Sequence, residues 1–262
     1  MKAVILAGGR GTRLAEETSV RPKPMVEIGG RPVLWHIMKI YAEHGLRDFI
    51  VCLGYRGDDI KDFFLNTLRR GSDLTVDFAN GTVAHHRSAT EPWRVTLVDT
   101  GAETETGGRL RRVAHHLEPD TPFCMTYGDG VADIDIGALT RFHKAHGKAA
   151  TITAVRPPGR FGALALAGTT VSSFMEKPRG DGGYINGGFF VLSPAVIARI
   201  GGDAVKWEDE PLASLARDDQ LRAFIHEGFW QPMDTLRDRQ HLEQLWAGGR
   251  APWKVWADDD AI

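Results

Sequence analysis

The run Leu6-Ala7-Gly8-Gly9-Arg10-Gly11-Thr12-Arg13-Leu14 places three glycines and a basic residue directly after an apolar stretch. Glycines let backbone N–H groups approach phosphate oxygens, and Arg13 adds a planar, permanently charged donor fork. In open α/β sheets a ligand sits beyond the carboxyl ends of the strands, where such a loop would lie. No Lys-Ser or Lys-Thr pair follows, so this is not a Walker sequence, and position 14 is Leu where a dinucleotide fingerprint needs Gly. On its own the loop reads equally well as a tight turn. Lys23, in Arg21-Pro22-Lys23-Pro24-Met25, sharpens the reading, because two prolines stiffen the backbone around one ammonium. A free surface lysine has too much rotamer entropy to serve as a clamp.

Carboxylates follow at two distant places. Asp129 ends the apolar Phe123–Tyr127 between Gly128 and Gly130, and could be a turn residue or a metal ligand shared with phosphates. Asp234, in Trp230-Gln231-Pro232-Met233-Asp234, stands just before an amphipathic segment and could simply cap a helix. Glu176-Lys177-Pro178 reads as a sugar-phosphate contact or an exposed ion pair, and Asn186-Gly187-Gly188 as an amide placed to read a hydroxyl. Thr106-Gly107-Gly108-Arg109 adds a further glycine pair with a guanidinium.

These residues need a scaffold, and the hydrophobic pattern supplies one. Lys2–Leu6 predicts a buried strand feeding the glycine loop. Pro32–His44 carries a helical stripe that Gly45 ends. Phe49–Leu53, Leu74–Phe78, Val95–Val98 and Phe123–Tyr127 predict strands, with helices at Asp58–Leu68 and Thr106–His116. This alternation to about Gly147 predicts an α/β fold with a mostly parallel sheet. Beyond it, Thr151–Val155, Ala163–Leu166, Val171–Phe174 and Gly188–Leu192 crowd together and predict an antiparallel or mixed extension, closed by a helix at Leu236–Trp246. No linker divides the chain, which predicts one continuous domain.

Composition excludes several classes. Thirty-two basic against 34 acidic residues leave a net charge of −2, without the basic surplus of a general nucleic-acid binder. Cys52 and Cys124 lie in apolar runs and read as reduced core residues. No Cys/His set has zinc spacing, and the adjacent pairs His85-His86 and His115-His116 cannot converge on one metal. The tryptophans toward the C-terminus read as packing rather than base-stacking groups. No apolar stretch is long enough for a membrane span and Ala3–Ala7 is too short for a signal peptide, so a cytoplasmic location is expected.

LAGGRGTRL followed by RPKPM resembles the signature of the sugar-1-phosphate nucleotidyltransferases. VEIGGRPVLWHIMKIY, EPWRVTLVDTG, TGGRL, TYGDGVADIDI, PPGRFGAL, EKPRGDG, INGGFFVL and GFWQPMDTLRD resemble one branch of them, the glucose-1-phosphate cytidylyltransferases, from Met1 to Trp256. The resemblance implies a Rossmann-like open mixed sheet flanked by helices, in a single domain. Residues 1–147 would bind nucleotide, and residues 148–262 would form the sugar-phosphate part with a smaller β extension and the closing helix. It implies transfer of a cytidylyl group from CTP to glucose 1-phosphate with Mg²⁺. Arg13, Lys23, Asp129 and Asp234 would be catalytic, with the two aspartates holding the metal. Leu6, Ala7, Gly8, Gly9, Gly11, Thr12, Thr106, Gly107, Arg109 and Gly128 would complete the nucleotide site, Arg109 reaching the triphosphate or cytosine. Tyr127, Glu176, Lys177, Asn186 and Gly187 would take the sugar phosphate. A homo-oligomer, a hexamer, is implied as well. Gly81–Thr90 and Ala102–Glu105 depart from the family's pattern and read as surface loops. Rival readings keep the chemistry with dTTP, UTP or GTP, or make the chain a non-catalytic nucleotide-sugar sensor.

Overall fold

The computed structural model describes residues 1–88, 90–157, 163–167, 169–175 and 183–257 of the 262. Seven strands form the central sheet: β1 (Ala3–Leu6), β2 (Asp48–Leu53), β3 (Arg94–Asp99), β4 (Phe123–Tyr127), β5 (Ala150–Val155), β6 (Ile185–Leu192) and β7 (Leu221–His226). Their order across the sheet is β7-β5-β6-β4-β1-β2-β3. The pairs β1–β2, β1–β4, β2–β3 and β5–β7 are parallel, while β6 runs antiparallel to both β4 and β5.

Helices cover both faces, so the strands read as continuous apolar runs rather than alternating ones. Ala3 and Ile5 join Phe49, Val51 and Leu53 in one core cluster, while Val4 and Leu6 join Ile50 and Cys52 in the other. The first cluster is filled by α1 (Val33–Glu43) and by Trp253 and Trp256 near the C-terminus. The second takes Leu110 and Val113 from the α3 region, Trp207, and Leu215 of α5. Between them, α2 (Gly57–Arg70) follows β2, α3 (Thr106–Arg112) follows β3, α4 (Ile136–His146) precedes β5, and α5 (Glu210–Arg217) precedes β7. Asp58 and Asp59 open α2 and Arg69 and Arg70 close it, matching the helix dipole at each end. Trp246 and Trp253 meet His36 of α1 edge-on and Trp256 meets it at a tilt, while Trp246 stacks on Trp253, so these C-terminal tryptophans are packing groups. Both cysteines are buried and unpaired as disulfides.

In the second half of the chain, residues 151–155 and 188–192 enter the central sheet within β5 and β6 and give it its mixed pairing. The hairpin Ala163–Ala167 with Thr170–Met175 lies outside that sheet. Strand order in sequence cannot reveal that β6 inserts between β4 and β5. Residues 81–90, read as a loop, mostly form the strand Thr82–Ser88, which pairs with Ser72–Asp77 in an exposed hairpin. The helix expected to reach His116 ends at Arg112, and a separate 3-10 turn covers Ala114–His116. Among the described residues no helix is long and apolar enough to cross a membrane.

The last helix, α6 (Leu236–Ala247), begins with a complete capping box. Thr235 Oγ1 accepts from the Asp238 N–H at 3.2 Å, and Asp238 Oδ2 accepts from the Thr235 N–H at 2.9 Å. Thr235→Ala is expected to cost about 1 kcal/mol, read as a lower urea midpoint at unchanged slope, with Thr235→Ser close to the wild type.

Candidate active site

The pairing Leu6↔Tyr127 and Leu6↔Cys52 brings the carboxyl ends of β1, β2 and β4 level, and each leads into a loop on the same edge. Because β6 runs the other way, its first residues, Asn186 and Gly187, reach that same edge. The result is a cleft of about 580 Å³ lined by the glycine loop, Lys23, the Tyr127–Gly130 turn, Asn186–Phe189, Trp230 and Asp234. That volume falls in the range of small-molecule sites. Gly11 sits at φ +61°, and a Cβ there would lie 2.9 Å from Thr18 and 3.0 Å from Lys23, so only glycine fits.

Lys23 begins a 3-10 turn bracketed by Pro22 and Pro24 and is only 7% exposed. Its Nζ donates to Asp129 Oδ2 at 2.5 Å and to Asp234 Oδ1 at 2.7 Å. A two-stranded ribbon closes the long sequence gap between the aspartates. Gly130–Ala132 pairs with Trp230–Pro232, and the Met233 N–H donates to the Asp129 carbonyl at 2.8 Å. Asp234 is therefore not the cap of α6, since Thr235 holds that position. Burial alone would lower the Lys23 pKa; the attraction of Asp129 and Asp234 outweighs it and the value is raised.

Two carboxylates that already converge on one ammonium could hold a hard divalent cation through oxygen atoms. Among the described residues no cluster of three or more His, Cys, Asp or Glu side chains could hold a metal. The pair fits a cation that takes its other ligands from substrate phosphates and water, the usual habit of Mg²⁺.

Arg109 is 4% exposed beneath the glycine loop. Its terminal nitrogens donate to the carbonyls of Leu53 (2.9 Å), Gly101 (2.8 Å), Gly8 (3.1 Å) and Ala102 (3.3 Å), and to Thr100 Oγ1 (2.8 Å). A Cβ on Gly8 would lie 2.1 Å from Nη1 and one on Gly54 2.5 Å from it, so these glycines make room for the guanidinium. Burial lowers the Arg109 pKa from its ordinary value. Arg109 also lines the cleft, beneath the loop whose carbonyls it holds. Gly107 packs on the Val205 carbonyl, which a Cβ would approach to 2.7 Å, and is not among the described residues that line the cleft.

The opposite wall is tied together by Tyr127, whose hydroxyl donates to Glu208 Oε1 at 2.5 Å and accepts from Asn186 Nδ2 at 3.2 Å. Burial, then the nearby Glu208 carboxylate, pushes the Tyr127 pKa far up, so it is a neutral phenol at any working pH. Trp230 Nε1 donates to the Gly187 carbonyl at 2.7 Å.

Residues 2–233 match the family model described as nucleotidyl transferase. The chain belongs to the nucleotidyl transferase family. It is 61% identical to a glucose-1-phosphate cytidylyltransferase of Salmonella typhimurium, over 98% of this chain and all of that one. It is 33% identical to a mannose-1-phosphate guanyltransferase of Emericella nidulans, over 90% of this chain and 62% of that one. Among solved structures, the inositol-1-phosphate CTP transferase from T. maritima shares the fold at a TM-score of 0.65 and 16% identity, covering 98% of this chain and 97% of that one.

In this nucleotidyl transferase, Leu6, Ala7, Gly8, Gly9, Gly11, Thr12, Thr106, Tyr127, Gly128 and Gly187 all line the cleft. Arg13 lies in the 3-10 turn Thr12–Leu14 that follows the loop. Glu176 and Lys177 fall outside the described residues. Glu208 and Trp230 also line the cleft, yet neither was singled out for chemistry from the sequence. The signal for Glu208 was a carboxylate beside Trp207 in an acidic run, which resembles any solvated helix start.

Lys23→Met would leave Asp129 and Asp234 without their shared counter-charge. A loss of about 3 kcal/mol is expected, at the low end for a buried pair because the Asp129 side chain is 31% exposed, with millimolar Mg²⁺ or Mn²⁺ restoring part of it. In the wild type the raised Lys23 pKa works in the opposite window to an acid. Its contribution is whole below the ordinary lysine value of 10.5 and is lost only as pH rises through the higher folded value. Urea titrations at pH 7 and in the alkaline range, with and without metal, check both outcomes.

Proposed function

We infer that the protein transfers the cytidylyl group of CTP to α-D-glucose 1-phosphate, releasing pyrophosphate and forming CDP-glucose. The observation that carries this reading is the convergence of Lys23, Asp129 and Asp234 beside the glycine loop, in a chain matched over 98% of its length by the Salmonella enzyme. The attacking phosphate oxygen is already anionic at neutral pH, so no general base is required. The protein's work is alignment and charge neutralisation.

The glycine loop's N–H groups would receive the triphosphate, and the Gly8 carbonyl is anchored on Arg109. Lys23 brings a positive charge to the point where phosphates must meet the aspartates. Asp129 and Asp234 would hold Mg²⁺, which when bound neutralises charge on the phosphate oxygens. Tyr127, Asn186 and Gly187 form the wall that would receive the sugar, with Glu176 and Lys177 assigned to its phosphate by resemblance. The homo-oligomer implied by the same resemblance is in keeping with the hairpin, where Phe78, Val76 and Val83 are left exposed.

Pyrophosphate release across CTP, UTP, dTTP, GTP and ATP with glucose 1-phosphate tests the assignment. CTP is expected to be used at least tenfold more efficiently than dTTP, which needs only ~1.4 kcal/mol of base-edge hydrogen bonding. Equal turnover with dTTP or GTP refutes it. Asp234→Asn is expected to lower kcat/KM by roughly 10²-fold or more and to raise the Mg²⁺ needed for half-maximal rate. The capping box should be untouched in that variant, so a normal rate would remove Asp234 from the chemistry.

A further inference from the structure

Glu208 joins the two walls of the cleft, and the reaction as derived gives it no task. It follows the fully buried Trp207, whose N–H donates to Thr106 Oγ1 at 2.9 Å and so fixes where the next side chain emerges. Glu208 Oε2 accepts from Thr106 Oγ1 at 2.6 Å, and Oε1 accepts from the Tyr127 hydroxyl at 2.5 Å. The Tyr127 oxygen then accepts from Asn186 Nδ2, and Asn186 Oδ1 accepts from the Gly188 N–H at 2.8 Å.

The chain of bonds has one direction. A carboxylate can only accept, so Thr106 and Tyr127 must both donate to it. Tyr127 thereby spends its single proton and can offer a ligand only lone pairs. Glu208 is itself exposed at the cleft, so its oxygens remain open to a further donor. A wall set in this sense suits a ligand rich in hydroxyl donors. We propose that Glu208 is a specificity-determining positioning residue for the sugar phosphate, holding Tyr127 and Asn186 so that this wall presents acceptors to the sugar hydroxyls. The proposal rests on the cytidylyl-transfer reading above for the identity of the sugar substrate.

Glu208→Gln keeps the shape but replaces one acceptor oxygen by a donor NH₂, so one of the two hydroxyls must reverse. The expected result is a rise of tenfold or more in KM for glucose 1-phosphate, with KM for CTP changed less than twofold and the thermal midpoint unchanged. Tyr127→Phe should act alike, and the double variant should be no worse than the poorer single one, because both break the same chain. The wild type's preference for glucose 1-phosphate over its 2-, 3- and 4-deoxy analogues should also shrink for at least one position in Glu208→Gln. An unchanged sugar KM, equal shifts in both KM values, or a fall in thermal midpoint alone would overturn the proposal. Should the wild type fail to turn over CTP with glucose 1-phosphate, the cytidylyl reading falls by itself. Calorimetric binding of glucose 1-phosphate and other sugar 1-phosphates to wild type and Glu208→Gln then decides the role of Glu208.

Discussion

An ammonium taken out of water survives only where opposite charge surrounds it, and Lys23 meets that condition with two carboxylates. The constraint fixes much of the molecule. Lys23 comes from the prolyl turn after the glycine loop, Asp129 from the end of β4, and Asp234 from the ribbon that precedes α6. These segments must meet at one point at the carboxyl edge of the sheet. The same three groups that balance one another's charge are those that phosphates and a divalent cation would engage.

Another buried cation at the cleft, Arg109, is held differently. Among the described residues its hydrogen bonds go to four carbonyls and a threonine hydroxyl, with no carboxylate. Guanidinium tolerates this because it is planar, weakly hydrated and supplied with several fixed donors. It acts as a post under the glycine loop. One cation thus shapes the floor, while the other stands at the reacting edge.

The features legible in the sequence are those whose cause is local. Strand β1, the glycine loop, the braced Lys23 and the turn at Asp129 each announce themselves within a few residues. Asp234 is ambiguous in the sequence, because what rules out capping lies in Thr235 and Asp238 and in a three-residue strand too short to show a period. The hold that Arg109 has on the loop is not legible in the sequence, because its partners there are backbone carbonyls from residues 8, 53, 101 and 102, which leave no side-chain signature. Thr82–Ser88 was missed because an exposed hairpin has no buried face to impose alternation. The insertion of β6 into the sheet is a long-range pairing choice that no local pattern encodes.

The two cations also differ in when their partners leave the ribosome. Everything that Arg109 grips is encoded before residue 109 itself, although the helix that carries it is braced by backbone of residues 203–207. Lys23 has half its counter-charge only after residue 129, and the rest only once residue 234 has been made. The contacts under the glycine loop thus close within the first 109 residues of the chain, whereas the charged edge spans residues 23 to 234 and is complete only when the two halves of the chain have met.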